Sequence, residues 1–315
     1  MPVHMSYDVV IIGAGPAGLT AGIYAKSKMM STLILEAGRV GGQLTALYPE
    51  KGVQNYPAFE SVQARKLSDR MYAQAESLGC DVKENERVLE INDGDGELVI
   101  VTENGSYKAK SAIVAIGMGN SNPKKMEVPG EEELTDKGVT YILPQKEELV
   151  GKKVVMFGGG NSAIEMALIA DSVTDTSIVH RKPEFRADEF NVKNLDESNV
   201  RKIMDSGVVS FNGKDCLESV TLVRQGAEFT VPADLAVINI GLNADLSDLK
   251  RWNIDLTPDG LVKVDFDMST NRHGIYACGD VVDYAGKYKQ IITACGEAAT
   301  AVAMAHKFVK KPYWA

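Results

Sequence analysis

Short apolar runs alternate with longer amphipathic segments along this chain, a pattern typical of parallel sheets covered by helices. Residues 9–12 are apolar at every position, as expected for a strand buried on both faces. An alanine-rich stretch then predicts a helix, and residues 32–35 predict a second buried strand. The chain is therefore predicted to begin with a strand–helix–strand unit.

Residues 38–59 interrupt this pattern, since they are rich in Gly, Pro and Tyr and have no helical period. Loops of this length in a compact domain usually have a function. Residues 61–79 regain a period near 3.6 and predict a helix that ends at Gly79. Three alternating segments joined by Asp-Gly and Asn-Gly turns then predict a meander, which leads into a buried strand over residues 111–117.

The same order of elements begins again in the middle of the chain. Residues 153–180 repeat strand, glycine turn, helix and strand, and residues 217–241 repeat the later strands. The turn at Gly158 follows the turn at Gly13 by 145 positions (158 minus 13). We therefore predict an α/β protein with two Rossmann-like, three-layer nucleotide-binding domains. The predicted domains are residues 1–117 with 246–315, and residues 118–245.

The first glycine turn has G-x-G-x-x-G spacing, with Gly13, Gly15 and Gly18 between a strand and a helix. In such a unit the glycines permit a tight turn, a close approach of the backbone to a pyrophosphate, and close helix–strand packing. Free N–H groups at the helix N-terminus then face the phosphates. Glu36, about twenty residues further on, is placed to accept hydrogen bonds from ribose hydroxyls. The alternative is a turn that binds no ligand.

The second glycine turn is followed by a strand that ends differently, which predicts a different nucleotide. That strand ends on His180, Arg181 and Lys182, and Arg186 follows closely. An acidic residue there would repel a 2′-phosphate, whereas clustered Arg and Lys can bind it through charge-assisted hydrogen bonds. We predict that this site prefers NADP(H) to NAD(H), and a solvated basic turn is the alternative.

Composition narrows the possible functions. The 315 residues have a net charge of -9, which argues against general nucleic-acid binding because that requires clustered basic residues. No long apolar segment or leader-like pattern is apparent, so we expect a cytoplasmic protein without membrane contact. The four cysteines (Cys80, Cys216, Cys278 and Cys295) are too widely spread to suggest a disulfide framework or a zinc site.

Taken together, these stretches resemble the flavoprotein reductases of the thioredoxin-reductase fold. The matching motifs, in chain order, are GAGPAG with Glu36, VGGQL, AIG, GGGNSA, HRKPEFRA, GLNAD and CGD, and they cover nearly the whole chain. The resemblance implies FAD in the first domain and NADPH in the second. It also implies that Asp280 hydrogen-bonds the ribitol chain and that a helix from about Gln290 to Phe308 points its positive end at the flavin.

The resemblance implies two sets of binding residues. The FAD set is Gly13, Gly15, Pro16, Ala17, Glu36, Gly42, Gln43, Tyr48, Asn55, Val88, Gly117, Gly279, Asp280 and Ile291. The NADP(H) set is Gly158, Gly160, Asn161, Ser162, His180, Arg181, Lys182 and Arg186.

One departure from the thioredoxin reductases is informative. They have a Cys-x-x-Cys just before the second glycine turn, where this chain has TYILPQKEEL. The closest cysteines, Cys278 and Cys295, are 17 positions apart (295 minus 278), and dithiol exchange needs an attacking and a resolving thiol. Thioredoxin reduction by the usual route is therefore unfavoured. The chain instead resembles the ferredoxin–NADP reductases of the thioredoxin-reductase type, which lack the dithiol.

Two aromatic positions are expected to cover the flavin by this resemblance. Tyr48 stands where an aromatic residue stacks on the isoalloxazine, although it could equally be a half-buried loop residue. The chain ends in KKPYWA, and Trp314 or Tyr313 could cover the other flavin face, with a frayed tail as the alternative. Cys278 and Cys295 would lie near the flavin, where we expect small buried hydrophobic side chains rather than reactive thiols.

The expected function is electron transfer through FAD between NADPH and ferredoxin, another small iron–sulfur protein or flavodoxin, without a catalytic acid–base triad. The resemblance also implies a homodimer and a hinge at the two domain crossings, near residues 117–122 and 241–245. An acidic ferredoxin would require a local basic patch, for which the candidates are Lys124, Lys125, Lys307, Lys310 and Lys311. The alternatives are an NAD(P)H oxidase, a reductase of free flavins or quinones, and a non-catalytic FAD-binding protein.

Overall fold

The computed structural model describes residues 6–47, 49–119, 122–243 and 245–311. The chain folds as two compact units. The discontinuous unit comprises Met1–Asn120 and Ala244–Ala315, and the inserted unit comprises Ser121–Asn243. Each unit has helices and a sheet that contains several parallel strands, which confirms the predicted α/β class.

The discontinuous unit is built on one large sheet. Its elements up to residue 119 are β1 (Ser6–Ile12), α1 (Pro16–Ser27), β2 (Thr32–Leu35), α2 (Gln43–Ala46), β3 (Gly52–Val53), β4 (Val62–Gln63), α3 (Ala64–Ser77), β5 (Asp81–Lys83), β6 (Val88–Asp93), β7 (Leu98–Thr102) and β8 (Ser106–Val114). The strands of this sheet have the order β5–β2–β1–β8–β7–β6. The central strand β1 pairs in parallel with β2 and β8. Strands β6, β7 and β8 form the predicted antiparallel meander.

The inserted unit repeats this plan with a smaller sheet. Its elements are β9 (Asn122–Pro123), β10 (Val139–Thr140), α4 (Lys146–Leu149), β11 (Lys153–Phe157), α5 (Asn161–Asp171), β12 (Asp175–Val179), α6 (Glu189–Asp196), β13 (Arg201–Ile203), β14 (Gly207–Gly213), β15 (Leu217–Arg224), β16 (Ala227–Pro232), β17 (Leu235–Ile238) and β18 (Leu242–Asn243). The strands of the smaller sheet have the order β10–β17–β11–β12–β13. Strands β14, β15 and β16 form a separate antiparallel sheet. The rings of Phe157 and Phe211 meet edge to face at 5.7 Å and join the two sheets in one core.

The last part of the chain completes the discontinuous unit. It contains α7 (Ser247–Arg251), β19 (Val262–Lys263), β20 (Ile275–Ala277), β21 (Val282–Asp283) and α8 (Ile291–Lys310). Strand β20 pairs in parallel with the end of β8, so β1, β8 and β20 end at the same carboxyl edge of the sheet. Helix α8 packs on α1, β8 and β20, and its buried residues include Ala294, Ala298 and Ala301, whose small side chains permit close approach.

A buried aspartate, Asp8, lies near the amino end of β1, opposite the carboxyl edge of the sheet. Asp8 accepts hydrogen bonds from Lys110 at 2.9 Å and from Lys310, at the end of α8, at 2.7 Å. Burial alone would raise the pKa of Asp8, but these lysines and the backbone N–H of Ser31 together hold it well below its usual range. Asp8 therefore links the C-terminal end of α8 to the amino end of β1.

Three local features differ from the sequence-based expectations. The segment expected to be a loop contains a one-turn helix, α2, and its β3 pairs with β4, so helix α3 begins at Ala64 rather than at residue 61. Strand β14 was missed because its side chains are mostly half-buried and show no clean alternation. Helix α6 was missed because it is short and largely exposed.

Candidate functional site

The first glycine turn lies at the carboxyl edge of the sheet, between β1 and α1. Gly13 has a φ angle of +106°, and a Cβ atom there would lie 2.4 Å from the carbonyl oxygen of Ala115. A Cβ atom at Gly18 would lie 1.8 Å from the carbonyl oxygen of Gly13. Both positions therefore exclude a side chain. Gly15 is the N-cap of α1 and no side chain caps the helix, so its first N–H groups can bind a phosphate.

Glu36 is oriented by the backbone next to this turn. Its Oε2 atom accepts the N–H of Ala14 at 2.7 Å, and its Oε1 atom accepts the N–H of Gly38 at 2.9 Å. Burial raises the pKa of the Glu36 carboxyl, although these two backbone hydrogen bonds act in the opposite direction. An ionised carboxylate has about four acceptor positions, so Glu36 retains capacity for the hydroxyl groups of a ribose.

The loop after β2 reaches the same edge. A Cβ atom at Gly42 would lie 3.1 Å from the Cα atom of Gly15, so the two backbones form a narrow cradle without side chains. Gln43 donates a hydrogen bond from Nε2 to Oδ2 of Asp280 at 3.3 Å. Asp280 directly follows Gly279, whose missing Cβ atom would lie 3.1 Å from the Cβ atom of Ala17 on α1. Residues from three distant parts of the chain therefore line one edge.

The N-terminus of α8 is the second helix end in this region. Its N-cap is Gln290, and no side chain caps the helix, so the N–H groups that begin at Ile291 are open to a negatively charged ligand group. Asn55 donates a hydrogen bond from Nδ2 to Oε1 of Gln290 at 2.9 Å and thereby links the loop after β2 to this helix.

For the remaining residues of the FAD set, the structure shows only a neighbouring residue, burial or a position in an element. Gly117 lies near Gln43, since its missing Cβ atom would be 3.9 Å from Nε2. Val88 is buried at the start of β6, and Pro16 occupies the first turn of α1. Tyr48, Tyr313 and Trp314 lie outside the described residues. The contacts of this set with a nucleotide stay a prediction.

A buried ion pair contacts the backbone of Gly279, and the sequence did not predict it. Lys287 Nζ is 2.5 Å from Oε1 of Glu297, and the two side chains are only 4% and 5% exposed. Oε1 also accepts the hydroxyl of Tyr284 at 2.7 Å, and Oε2 accepts the N–H of Gly279 at 2.8 Å. Lys287 donates a second hydrogen bond to the carbonyl oxygen of Gly279 at 3.0 Å. The sequence signal was the acidic Glu297 on the alanine-rich buried face of α8.

The cysteines nearest this edge are not activated thiols. Cys278 and Cys295 are both buried and free. Burial raises the pKa of each thiol, so the nucleophilic thiolate form is disfavoured at neutral pH. They have the properties expected of small buried hydrophobic residues.

The second glycine turn connects β11 and α5 in the inserted unit. Gly160 is the N-cap of α5, no side chain caps this helix, and a Cβ atom at Gly160 would meet no other atom within 4 Å. The open space beside the first turn, which includes the half-buried Ser162, is suited to a phosphate. Gly158 precedes this space, and a Cβ atom at Gly158 would clash with the backbone of Asn239.

His180 lies beside the second glycine turn rather than among the exposed cations. A Cβ atom at Gly159 would lie 2.2 Å from its ring, and the ring stacks on Phe185 at a centroid distance of 5.4 Å. Burial lowers the pKa of His180, and Arg181, Lys182 and Arg186 act in the same direction. The imidazole is therefore neutral at pH 7. Its Nε2 atom is buried and has no hydrogen-bond partner among the described residues.

Asn161 holds the basic loop, residues 180–188, against the start of α5. Its Oδ1 atom accepts hydrogen bonds from the N–H of Asp188 at 2.7 Å and from Nδ2 of Asn191 at 2.9 Å. Its Nδ2 atom donates to Oδ2 of Asp188 at 2.9 Å. The backbone N–H of Arg186 also donates to Gly159 at 2.7 Å. Asn161 is predicted from the sequence to bind the nucleotide. In the structure, its side chain also binds the basic loop.

The chain has two Rossmann-like units, each with a glycine turn whose helix has no side-chain cap. One turn lies beside an acidic strand end and the other beside a basic one. This architecture is that of dinucleotide-dependent oxidoreductases. The chain belongs to the pyridine nucleotide-disulphide oxidoreductase family, whose model matches residues 7–301. This membership confirms the resemblance inferred from the motifs. Within the described residues, no helix has the length and apolar character needed to cross a membrane.

Relatives and solved structures agree with this assignment over nearly the whole chain. Ferredoxin–NADP reductase of Enterococcus faecalis is 36% identical over 302 residues, covering 94% of this chain and 90% of that protein. Ferredoxin–NADP reductase of Streptococcus pneumoniae is 34% identical over 96% of this chain and 94% of its own. Among solved structures, thioredoxin reductase of Lactococcus lactis is 33% identical with a TM-score of 0.87, covering 97% of this chain and 100% of that one. Thioredoxin reductase of T. acidophilum is 29% identical with a TM-score of 0.87, covering 96% and 98%.

Proposed function

We propose that this protein is an FAD-dependent oxidoreductase that transfers electrons between NADPH and ferredoxin. The main observation in favour is that one chain pairs an acidic strand end at Glu36 with a basic one at Arg181, and has no cysteine in residues 140–149. Two dinucleotide sites without a dithiol suit electron transfer to a protein partner better than thiol exchange. Relatives at 34–36% identity are named ferredoxin–NADP reductase.

FAD is the proposed ligand of the discontinuous unit. The N-terminus of α1 binds the pyrophosphate, Glu36 the ribose and Asp280 the ribityl chain. The N-terminus of α8 stabilises negative charge on the flavin pyrimidine. The two backbone hydrogen bonds that orient Glu36 and the cradle formed by Gly15 and Gly42 suit such a cofactor.

NADPH is the proposed ligand of the inserted unit. The N-terminus of α5 binds its pyrophosphate, and Arg181, Lys182 and Arg186 bind the 2′-phosphate. All three side chains are exposed, and their positive charges lie close enough to His180 to influence its pKa. When both cofactors are bound, NADPH supplies a hydride and the flavin divides its two electrons for a one-electron partner.

The proposed protein partner is ferredoxin, and flavodoxin is a second small carrier of the same kind. With a net charge of -9, the enzyme needs a local basic patch to attract an acidic partner. Lys310 is bound to Asp8 and Lys125 lies 4.0 Å from Glu132, so these two candidate cations are partly neutralised. Lys124, Lys307 and Lys311 stay candidates. A homodimer and a cytoplasmic location, the latter consistent with four free cysteines, complete the proposal.

The test is to mix the purified holoenzyme anaerobically with NADPH or NADH, follow the flavin absorption band, and then add oxidised ferredoxin. We expect fast bleaching by NADPH and reoxidation by ferredoxin. Bleaching that only oxygen or a quinone reverses would identify an oxidase or quinone reductase instead. Absence of bleaching by either nucleotide would identify a non-catalytic FAD-binding protein and refute the proposed function.

A further inference from the structure

We infer that the buried pair of Lys287 and Glu297 positions Asp280 and helix α8 against the flavin and balances charge beside it. This inference rests on the proposed placement of FAD at Asp280. It assigns to Lys287 and Glu297 the role of positioning residues, which act through Gly279 and not by contact with the substrate.

The pair binds both backbone polar groups of one residue, Gly279. Glu297 accepts the N–H of Gly279, and Lys287 donates to its carbonyl oxygen. Gly279 has a φ of +85° and lies between α1 and α8, since its missing Cβ atom would be 3.1 Å from Ala17 and 3.9 Å from Ala294. The direction in which Asp280 leaves this turn is therefore set by the ion pair.

A single carboxylate joins the two groups expected to face the flavin. Glu297 belongs to α8, whose N-terminus is the proposed partner of the pyrimidine ring, and it also binds the turn before Asp280. Tyr284 and Lys287 bring the connecting segment 284–290 onto the same carboxylate. A movement of α8 relative to Asp280 would have to break these hydrogen bonds.

Burying the charges of Lys287 and Glu297 has a desolvation cost. A buried ion pair is often no more stabilising than apolar residues of similar volume, so stability alone is a weak reason for its presence. Removing one partner leaves an uncompensated buried charge, whereas removing both does not. Because reduced flavin gains negative charge, a lone Lys287 would favour reduction and a lone Glu297 would oppose it. The two single variants should therefore shift the flavin potential in opposite directions.

The experiment compares Glu297→Gln, Lys287→Met and the double variant as purified holoenzymes. We expect each single variant to weaken FAD binding by about tenfold or more, which in free energy is about a third of the usual effect of breaking a buried pair. The midpoint potential should rise in Glu297→Gln and fall in Lys287→Met. The double variant should return close to the wild-type potential while its FAD affinity stays low, because Gly279 is no longer bound from both sides.

Two controls separate this inference from general destabilisation and from the proposed function. Asp8→Asn removes another buried, lysine-bound carboxylate of the same unit at the opposite edge of the sheet, and it should lower the melting temperature without changing FAD affinity or potential. Asp280→Ala should weaken FAD binding. If it does not, the placement of FAD at Asp280 is wrong, whatever the ion pair does.

The inference is overturned if Asp280→Ala weakens FAD binding while both single variants retain wild-type FAD affinity and potential. It is also overturned if both single variants shift the potential in the same direction. If Glu297→Gln does not fold, Glu297→Asp retains the charge but shortens the side chain. It should weaken FAD binding with little change in potential, and unchanged FAD binding in that variant would equally refute the inference.

Discussion

Replacing Asn161 with Ala should weaken the binding of NADPH much more than that of NADH. The Asn161 side chain does not need to touch the nucleotide for this effect, because it joins Asp188 and Asn191 to the start of α5. This contact orders the loop that contains Arg181 and Arg186. Only NADPH has the 2′-phosphate that these arginines are proposed to bind. Disorder of the loop should therefore weaken mainly the binding of NADPH.

The magnitude follows from the hydrogen bonds that are lost. Asn161 makes three of them at 2.7 to 2.9 Å, all at exposed or partly buried positions. Each contributes roughly 0.5–1.5 kcal/mol, and solvent exposure places these near the lower end, so the loop loses about 2 kcal/mol of local stability. Since about 1.4 kcal/mol corresponds to a tenfold change, the dissociation constant of NADPH should rise about 10- to 30-fold. That of NADH should change little.

The assay is anaerobic reduction of the flavin in a stopped-flow instrument at increasing concentrations of each nucleotide. Asn212→Ala is the matched control, because Asn212 also makes three side-chain hydrogen bonds in the inserted unit, but within the sheet formed by β14, β15 and β16. It should leave both dissociation constants unchanged. An equal increase for NADPH and NADH in Asn161→Ala would refute the reasoning, since Asn161 would then act on nucleotide binding in general.

Two further predictions test charge–charge interactions in the two units. Arg181→Ala should raise the dissociation constant of NADPH about 10- to 100-fold, because a hydrogen bond to a charged group contributes about 1.5–3 kcal/mol, and should leave that of NADH unchanged. Equal catalytic efficiency of the wild type with both nucleotides would remove the basis of this prediction. Asp8→Asn should lower the free energy of unfolding at pH 7 by about 1–2 kcal/mol, measured by urea denaturation. Because the pKa of Asp8 is depressed in the folded state, its contribution is fully present above the unfolded value of about 3.9 and is lost progressively as the pH falls towards the much lower folded value, so the difference between wild type and variant should begin to shrink below about pH 4 and most of it should remain at pH 3.

The parts of the fold that were predicted correctly depend on local rules. A glycine at position 13 is needed by the turn itself, and the helix and strand on either side have their own hydrophobic patterns. The meander of β6, β7 and β8 was predicted from alternation and from its turns. Strand β14 and helix α6 were not, because their half-buried or exposed residues have no marked period.

The parts of the candidate site that were not predicted depend on contacts between distant positions. Asn161 and Asp188 are 27 positions apart, and Gly279 and Glu297 are 18 apart, so no local pattern relates the members of either pair. Motifs identify residues that are proposed to bind a nucleotide, such as Glu36 and Arg181, because their distance from the glycine turn is set by one strand–helix–strand unit. The residues that hold such groups in place are polar side chains on unrelated elements. Their substitution should therefore change cofactor affinity or selectivity while every recognisable motif stays intact.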